Sequence, residues 1–342
     1  MPRSKALLLL SLATLFVPAF GQSANPARPG TLNYVEGQAS IEGRQLSPSS
    51  VGTAELQSGQ FLATAAGKAE ILLTPGIFLR LGNDSTVQMI SPDLTHTEVK
   101  LERGRANIEV DQIYKQNTIL IDQKGAQTQL LKVGLYAFDA DGASMHVYDG
   151  KASVFPGDNY QSTVKPITVK GGRELTFNGE PANPQKFNKD LAQSKDNLYK
   201  WSSLRSAYLG EANVDLASEY AGSAGFNPGW YWDSGLYGYT WLPGDGLYWN
   251  PFGYGFYSPF YLYGGGPIYG RYGRGIYGYR GGYGYRGGYA YNHGPNGGNL
   301  HGPNGGGFFH GGAGNAGGGG GFHGGGGGGG GHSGGGGGGG HR

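Results

Sequence analysis

The chain contains no cysteine. That excludes a disulfide framework, a cysteine nucleophile and the lipid-bearing cysteine of a bacterial lipoprotein. Acidic residues are missing after Asp245, and the first 290 residues hold two histidines, His96 and His146. No apolar run beyond the first twenty-odd residues is long enough to cross a membrane, so no transmembrane anchor is expected in the rest. Catalytic signatures are missing as well. There is no Gly-x-Ser-x-Gly elbow, no His-Glu-x-x-His and no phosphate-cradling glycine loop. No enzymatic activity and no cofactor are therefore expected. A net charge of +2 points neither to nor away from a polyanionic partner.

What is present begins with a leader. Arg3 and Lys5 precede an apolar run from Ala6 to Phe20, 15 residues interrupted by Ser11, Thr14 and Pro18. Ala19-Phe20-Gly21 then offers small residues at the two positions a signal peptidase reads. The run is short for a spanning helix of ~20 residues, and Pro18 would break one. Residues 1–21 are expected to be a cleaved signal peptide, which places the mature protein in the periplasm, outside the cell or on the surface of a bacterium.

Glycine sets the second boundary. Of 70 glycines, 51 follow residue 220, leaving roughly 190 residues able to bury a core, enough for one compact domain. Residues 30–180 read as short strands: 32–41, 69–73, 77–81, 86–90, 98–101, 106–110, 118–121, 127–131, 136–139, 144–148, 152–155, 163–169 and 174–177. Pairs such as Pro75-Gly76, Asp141-Gly142, Asp149-Gly150 and Gly171-Gly172 separate them and supply the positive φ of tight turns. In Ile119-Leu120-Ile121 the β-branched residues sit two apart, on one face of a pleated strand. This spacing indicates an all-β sandwich, barrel or roll. Glu98, Glu102, Glu109 and Asp111 alternate with apolar residues and are expected on the wet face of a sheet.

After a polar linker the period changes. Leu191, Leu198, Trp201, Leu204, Tyr208 and Leu209 recur at three and four, predicting an amphipathic helix within 190–221. Asp190 is its expected N-cap, Gly210 its expected stop, and Glu211 to Tyr220 a second helix. Residues 226–263 are rich in Trp, Tyr and Pro, and Trp241-Leu242-Pro243 recurs as Trp249-Asn250-Pro251. Residues 264–342 turn to Gly-Tyr-Gly-Arg and then near-pure glycine, a composition that buries no core and is expected to be disordered.

The strand region resembles the FecR domain, the extracytoplasmic part of bacterial iron-dicitrate-type regulators. The likeness rests on Val99-Lys100-Leu101-Glu102-Arg103-Gly104-Arg105-Ala106 with Ile108-Glu109-Val110, on Val147-Tyr148-Asp149-Gly150-Lys151-Ala152-Ser153-Val154, and on 56–64 and 69–81. It implies a twisted, solenoid-like all-β roll. Those regulators carry a sigma-factor-binding region and a membrane helix ahead of this domain. Here a cleavable leader is expected instead, so anti-sigma activity is not carried over. Gly134-Leu135 also replaces the family's glycine-threonine.

Two groups of residues carry candidate chemistry. Trp230, Trp232, Trp241 and Trp249 offer rings for stacking on glycans or on one another, the other reading being that they pack on the preceding helix and sheet. His293, His301, His310, His323, His332 and His341 lie on flexible glycine and could gather around Zn²⁺, Ni²⁺ or Cu²⁺, although closing such loops costs entropy. Arg-Gly-Gly steps at Arg280 and Arg286 mimic RNA-binding segments, but export removes nucleic acid as a partner. The expected partners are an envelope protein or a cell-surface glycan, with self-association through the tail. The reading is an exported, non-enzymatic structural or binding module with an adhesive low-complexity tail; the alternatives are an extracytoplasmic sensor contacting an envelope protein and weak metal binding by the tail histidines.

Overall fold

The computed structural model describes residues 26–157, 165–177 and 183–269, together with a strand at Gly275–Tyr277. The leader, most of the glycine-rich tail and all six tail histidines lie outside the described residues. Among the described residues, no helix is long and apolar enough to cross a membrane.

The fold is all-β with helices laid on it. In chain order the strands are β1 (Leu32–Ile41), β2 (Arg44–Gln45), β3 (Phe61–Leu72), β4 (Ile77–Leu81), β5 (Thr86–Pro92), β6 (His96–Arg103), β7 (Arg105–Val110), β8 (Thr118–Gln123) and β9 (Ala126–Leu130). They continue as β10 (Gly134–Asp139), β11 (Ser144–Asp149), β12 (Lys151–Pro156), β13 (Ile167–Lys170), β14 (Arg173–Thr176) and β15 (Gln185–Lys186). Each strand expected between residues 32 and 177 is present, with bounds moved by a few residues, apart from the start of the expected 163–169, where 163 and 164 lie outside the described residues and β13 covers the rest from Ile167. A further exception is β3, which starts eight residues before the expected 69. Its first half, Phe61-Leu62-Ala63-Thr64-Ala65-Ala66-Gly67-Lys68, holds few β-branched or large apolar residues. Pairing with β1 along nearly its whole length makes it a strand.

All fifteen strands join in one sheet, and β3 is its fold line. The beginning of β3 pairs with β5, and its end pairs with β4. Strands β5, β6, β8, β9, β12 and β13 extend to one side, and β4, β7, β10, β11, β14 and β15 to the other. All pairings are antiparallel except β6 with β8. Gly67 marks the bend: a Cβ there would lie 2.5 Å from both Gln38 N and Glu36 O, so only glycine admits the close crossing of β1. The two arms fold together over one core, with Val87, Met89, Val99, Leu101, Ile119 and Ile121 from the first meeting Leu79, Ile108, Tyr136, Phe138, Met145 and Val147 from the second.

The helical segment breaks at a different place from the one expected. Helix α1 (Lys189–Lys195) is capped by Asn188 rather than Asp190, and α2 runs unbroken over Asn197–Glu219. The break falls at Asp196, whose carboxylate accepts the Leu198 and Tyr199 N–H groups as N-cap of α2. Gly210 stays inside α2 because the chain packs on it; a Cβ there would sit 3.3 Å from Tyr254 Cβ.

Beyond α2 the aromatic segment folds as successive hairpins. Strand β16 (Gly229–Asp233) pairs with β17 (Gly238–Leu242), and β18 (Leu247–Trp249) with β19 (Gly255–Tyr257). Helix α3 (Pro259–Tyr263) follows, and then β20 (Ile268–Tyr269) pairs with β21 (Gly275–Tyr277). Regular pairing therefore continues past residue 264, where the sequence had suggested that order ends.

Candidate functional site

Strand alternation places Glu70, Arg80 and Glu109 on the outer face of the second arm, opposite the core-facing Ile71, Leu79 and Ile108. Helix α2 and the aromatic hairpins cover that face. Glu70, Arg80 and Glu109 are each 0% exposed. The expectation that Glu109 and Asp111 line a wet surface is thus corrected: they are outward-facing but roofed over. Glu98 and Glu102, on the first arm, are half-buried and exposed as expected.

The buried charges pair with one another. Arg80 donates from Nε to Glu70 Oε2 at 2.6 Å and from Nη1 to Glu109 Oε2. Arg205 of α2 donates to Glu70 Oε1 at 2.9 Å, and its guanidinium lies 4.0 Å from the Tyr34 ring centre. Ser206 Oγ donates to Glu109 Oε2, and Asn250 Nδ2 to Glu109 Oε1 at 2.8 Å. Two carboxylates and two guanidiniums leave the cluster with no net charge. Burial alone would push the Glu70 carboxyl up, but Arg205 and Arg80 overcome it and hold the group at about 2. Arg80 is raised in turn: burial works against its charge, and Glu109 and Glu70 outweigh that.

Three asparagines extend this cluster into the hairpins. Asn33 of β1 donates to Glu70 and to Tyr239 O, and accepts the Tyr239 N–H at 2.6 Å. Asn213 of α2 accepts the Tyr257 N–H and donates to Trp241 O and Tyr257 O. Asn250 accepts from the Phe252 and Tyr254 N–H groups while holding Glu109. One side chain in each case satisfies backbone groups that short hairpins leave unpaired.

Asp111 is the exception. It continues β7 two residues past Glu109, beside Gly76, and both its carboxylate oxygens are buried without a hydrogen-bond partner. Burial, and then the Glu109 charge, hold its carboxyl far above the ordinary carboxylate range. A neutral carboxylic acid fits that setting.

Of the four tryptophans expected to bind, Trp241 is buried, Trp230 and Trp232 are half-buried and Trp249 is exposed. Trp241 is fully buried, edge-on to Tyr248 at 5.1 Å and tilted against Phe256 at 5.7 Å. It has no free face for a ligand, which corrects its assignment as a stacking residue. Trp230 meets Phe78 edge-on at 5.0 Å, and Trp232 packs on Tyr239 and lies over Gly52. Trp249 is 36% exposed and sits 6.1 Å from Tyr269. Among the described residues no group of three or more His, Asp or Glu is placed to hold a metal. His96 pairs with Glu98 at 3.2 Å and His146 with Glu174 at 2.8 Å.

Glu70, Arg80, Arg205 and the three asparagines were not singled out as a site in the sequence, and Glu109 was read as a wet-face carboxylate, although a signal exists. Ala-Glu-Ile-Leu, Phe-Leu-Arg-Leu and Asn-Ile-Glu-Val each set one charge directly between apolar residues of a strand. Charges of both signs in such strands are those that can pair beneath a cover.

No family profile matches the chain, and no curated protein does. Among solved structures, two from Parabacteroides distasonis of an anti-sigma factor candidate, at 2.50 and 1.65 Å resolution, match at 16% identity with TM-scores of 0.31 and 0.30. Each match covers 39% of this chain, and the chain spans 62% and 60% of theirs, under two thirds of their length. The all-β assignment rests on the strand pairing described above.

Proposed function

We propose that this protein is an exported, non-enzymatic module of the bacterial envelope, in which a FecR-like β roll and its aromatic hairpins form a stiff mount for a Gly/Tyr/His-rich tail. One observation carries the reading. The cluster richest in reactive side chains is sealed from solvent, and its charges are engaged with one another across the sheet, α2 and the hairpins. Such an arrangement fixes how parts pack; it presents no group to a substrate. Buried ionic groups of this kind are best attested as devices that select one packing over others.

Two measurements test the proposal. N-terminal sequencing of the protein recovered from its native host is expected to begin at Gln22; a chain retaining Met1 in the cytosol overturns the export reading. Retention of the full chain on isolated envelopes is expected to fall when residues 278–342 are removed. Equal retention of both forms removes the adhesive role from the tail and favours a sensor whose β roll meets an envelope protein.

A further inference from the structure

At the end of α2 the aromatic segment turns rings toward solvent. Phe226 stacks on Tyr231 at 5.5 Å and meets Phe260 edge-on at 6.1 Å, and Tyr231 meets Tyr220 at 4.9 Å. Phe260 is 55% exposed and Tyr263 72%, the latter lying against Gly222, where a Cβ would come within 2.8 Å of its ring. Of the aliphatic members of the same cluster, Leu216, Leu242 and Leu262 are buried beneath and Val214, Leu247 and Ile268 are half-buried. The exposed face is therefore built of rings, and they are braced by one another and by α2. Exposed rings gathered in one patch mark a surface that meets something.

A row of carboxylates runs beside them. Glu211, Asp215 and Glu219 are exposed at four-residue intervals along α2, roughly 6 Å apart along the axis. Asp233 is two residues from Tyr231 on β16 and so on the same side of the hairpin. Like charges at this spacing repel, and acids toward a helix C-terminus oppose its dipole. Burial, then Asp215 and Asp233, raise the Glu211 carboxyl; burial, then Asp233, raises Asp215. No Lys or Arg occurs from Ser206 to Gly270. Among the described residues none of the four forms an ion pair.

We infer that this ring-and-carboxylate face docks a polysaccharide carrying free amino groups. Its pyranose rings present flat C–H surfaces to Phe226, Phe260 and Tyr263, and its ammonium groups supply the positive charge that Glu211, Asp215 and Asp233 lack. A cation above an aromatic face adds to the attraction. A lysine-rich peptide would offer the same ammonium groups but not the flat C–H faces that stack on rings. The inference depends on the exported binding module proposed above only in that such polymers are met outside the cytosol.

The test titrates the purified full chain at low ionic strength with glucosamine hexamer, N-acetylglucosamine hexamer and lysine hexamer, followed by calorimetry. Glucosamine hexamer is expected to bind, more weakly as salt is added, and the uncharged acetylated hexamer to bind more weakly still. The pairs Glu211→Gln/Asp215→Asn and Phe260→Ala/Tyr263→Ala are each expected to reduce affinity at least about tenfold. All four positions are exposed, and circular dichroism confirms folding. The inference fails if glucosamine hexamer is not taken up or if neither pair changes its affinity. It also fails if lysine hexamer binds as tightly, which would reassign the face to a cationic peptide. Binding by the purified chain can fail while export stands, so the two readings are separable.

Discussion

Strands β6 and β7 are neighbours in sequence and share one pattern, yet they lie in opposite arms of the roll and meet different surroundings. In β6, Val99 and Leu101 face the core, and Glu98, Lys100 and Glu102 face outward, half-buried or exposed. In β7, Ile108 and Val110 face the core, and Asn107 and Glu109 face outward but are sealed. The difference is α2 and the hairpins, which lie on the second arm. A charge on the first arm is hydrated and lightly coupled to its neighbours. A charge on the second has lost its water and depends on a few named partners.

The sharpest way to break this contrast is Arg80→Ala. It leaves Glu109 without a cation and Glu70 with Arg205 alone in a dry interface, and the expected loss is about 3–5 kcal/mol in chemical denaturation of the full chain. Replacing the four charges together, as Glu70→Leu, Arg80→Met, Glu109→Leu and Arg205→Met, is expected to cost far less, because no unpaired charge remains. If the fourfold variant loses as much as Arg80→Ala, the contrast between pairing and desolvation is wrong. Amide exchange in β17 and β19 then reports whether the hairpins keep one register without the charges.

Titration gives the next effect, with opposite signs at two carboxyls of the same face. Glu70 is held at about 2 in the folded chain, so the stability it contributes is present above the usual carboxylate range and is lost as pH falls toward about 2. Asp111 is raised; the folded chain keeps its proton after the unfolded chain has released it. Its presence therefore erodes stability as pH rises from the ordinary carboxylate range toward its folded value. Asp111→Asn is expected to stabilise the protein near neutral pH by on the order of 1 kcal/mol and to flatten the decline. An unchanged slope would place the titration elsewhere.

Asn213→Ala is expected to cost about 1–3 kcal/mol, since it leaves buried backbone groups of Trp241 and Tyr257 without partners. The loss should appear first as faster amide exchange in β17 and β19, with the roll itself protected. Uniform exchange across both regions would mean that hairpins and roll open as one unit.

How much of this could be read in the sequence follows the same division. Strands were legible where alternation is strict, as in Glu98-Val99-Lys100-Leu101 and Ser144-Met145-His146-Val147, because one apolar face suffices to specify them. The first half of β3 was not, since Ala, Gly and Lys there take their conformation from β1. The α2 break was misplaced because Gly210 reads as a stop in isolation, whereas Asp196 caps a helix that the hairpins hold straight through Gly210. Charges in apolar strands show that a cover is needed, but α2, which begins 88 residues on from Glu109, gives no local sign that it is the cover.

The smallest predicted effect keeps the comparison fair. Glu102 pairs with Lys100 at 2.9 Å, with side chains 36% and 41% exposed. Glu102→Gln removes one charge from a contact no longer than the one between Arg205 and Glu70 at 2.9 Å. Distance is thus matched, and only surroundings differ. Water and salt screen the exposed pair, and the Lys100 ammonium stays hydrated in the variant, so the change is expected to stay within about 0.5 kcal/mol in the same denaturation experiment. A loss comparable to that of Arg80→Ala would mean that the first arm is covered too, by a partner or by another part of the chain, and the contrast between the arms would have to be abandoned.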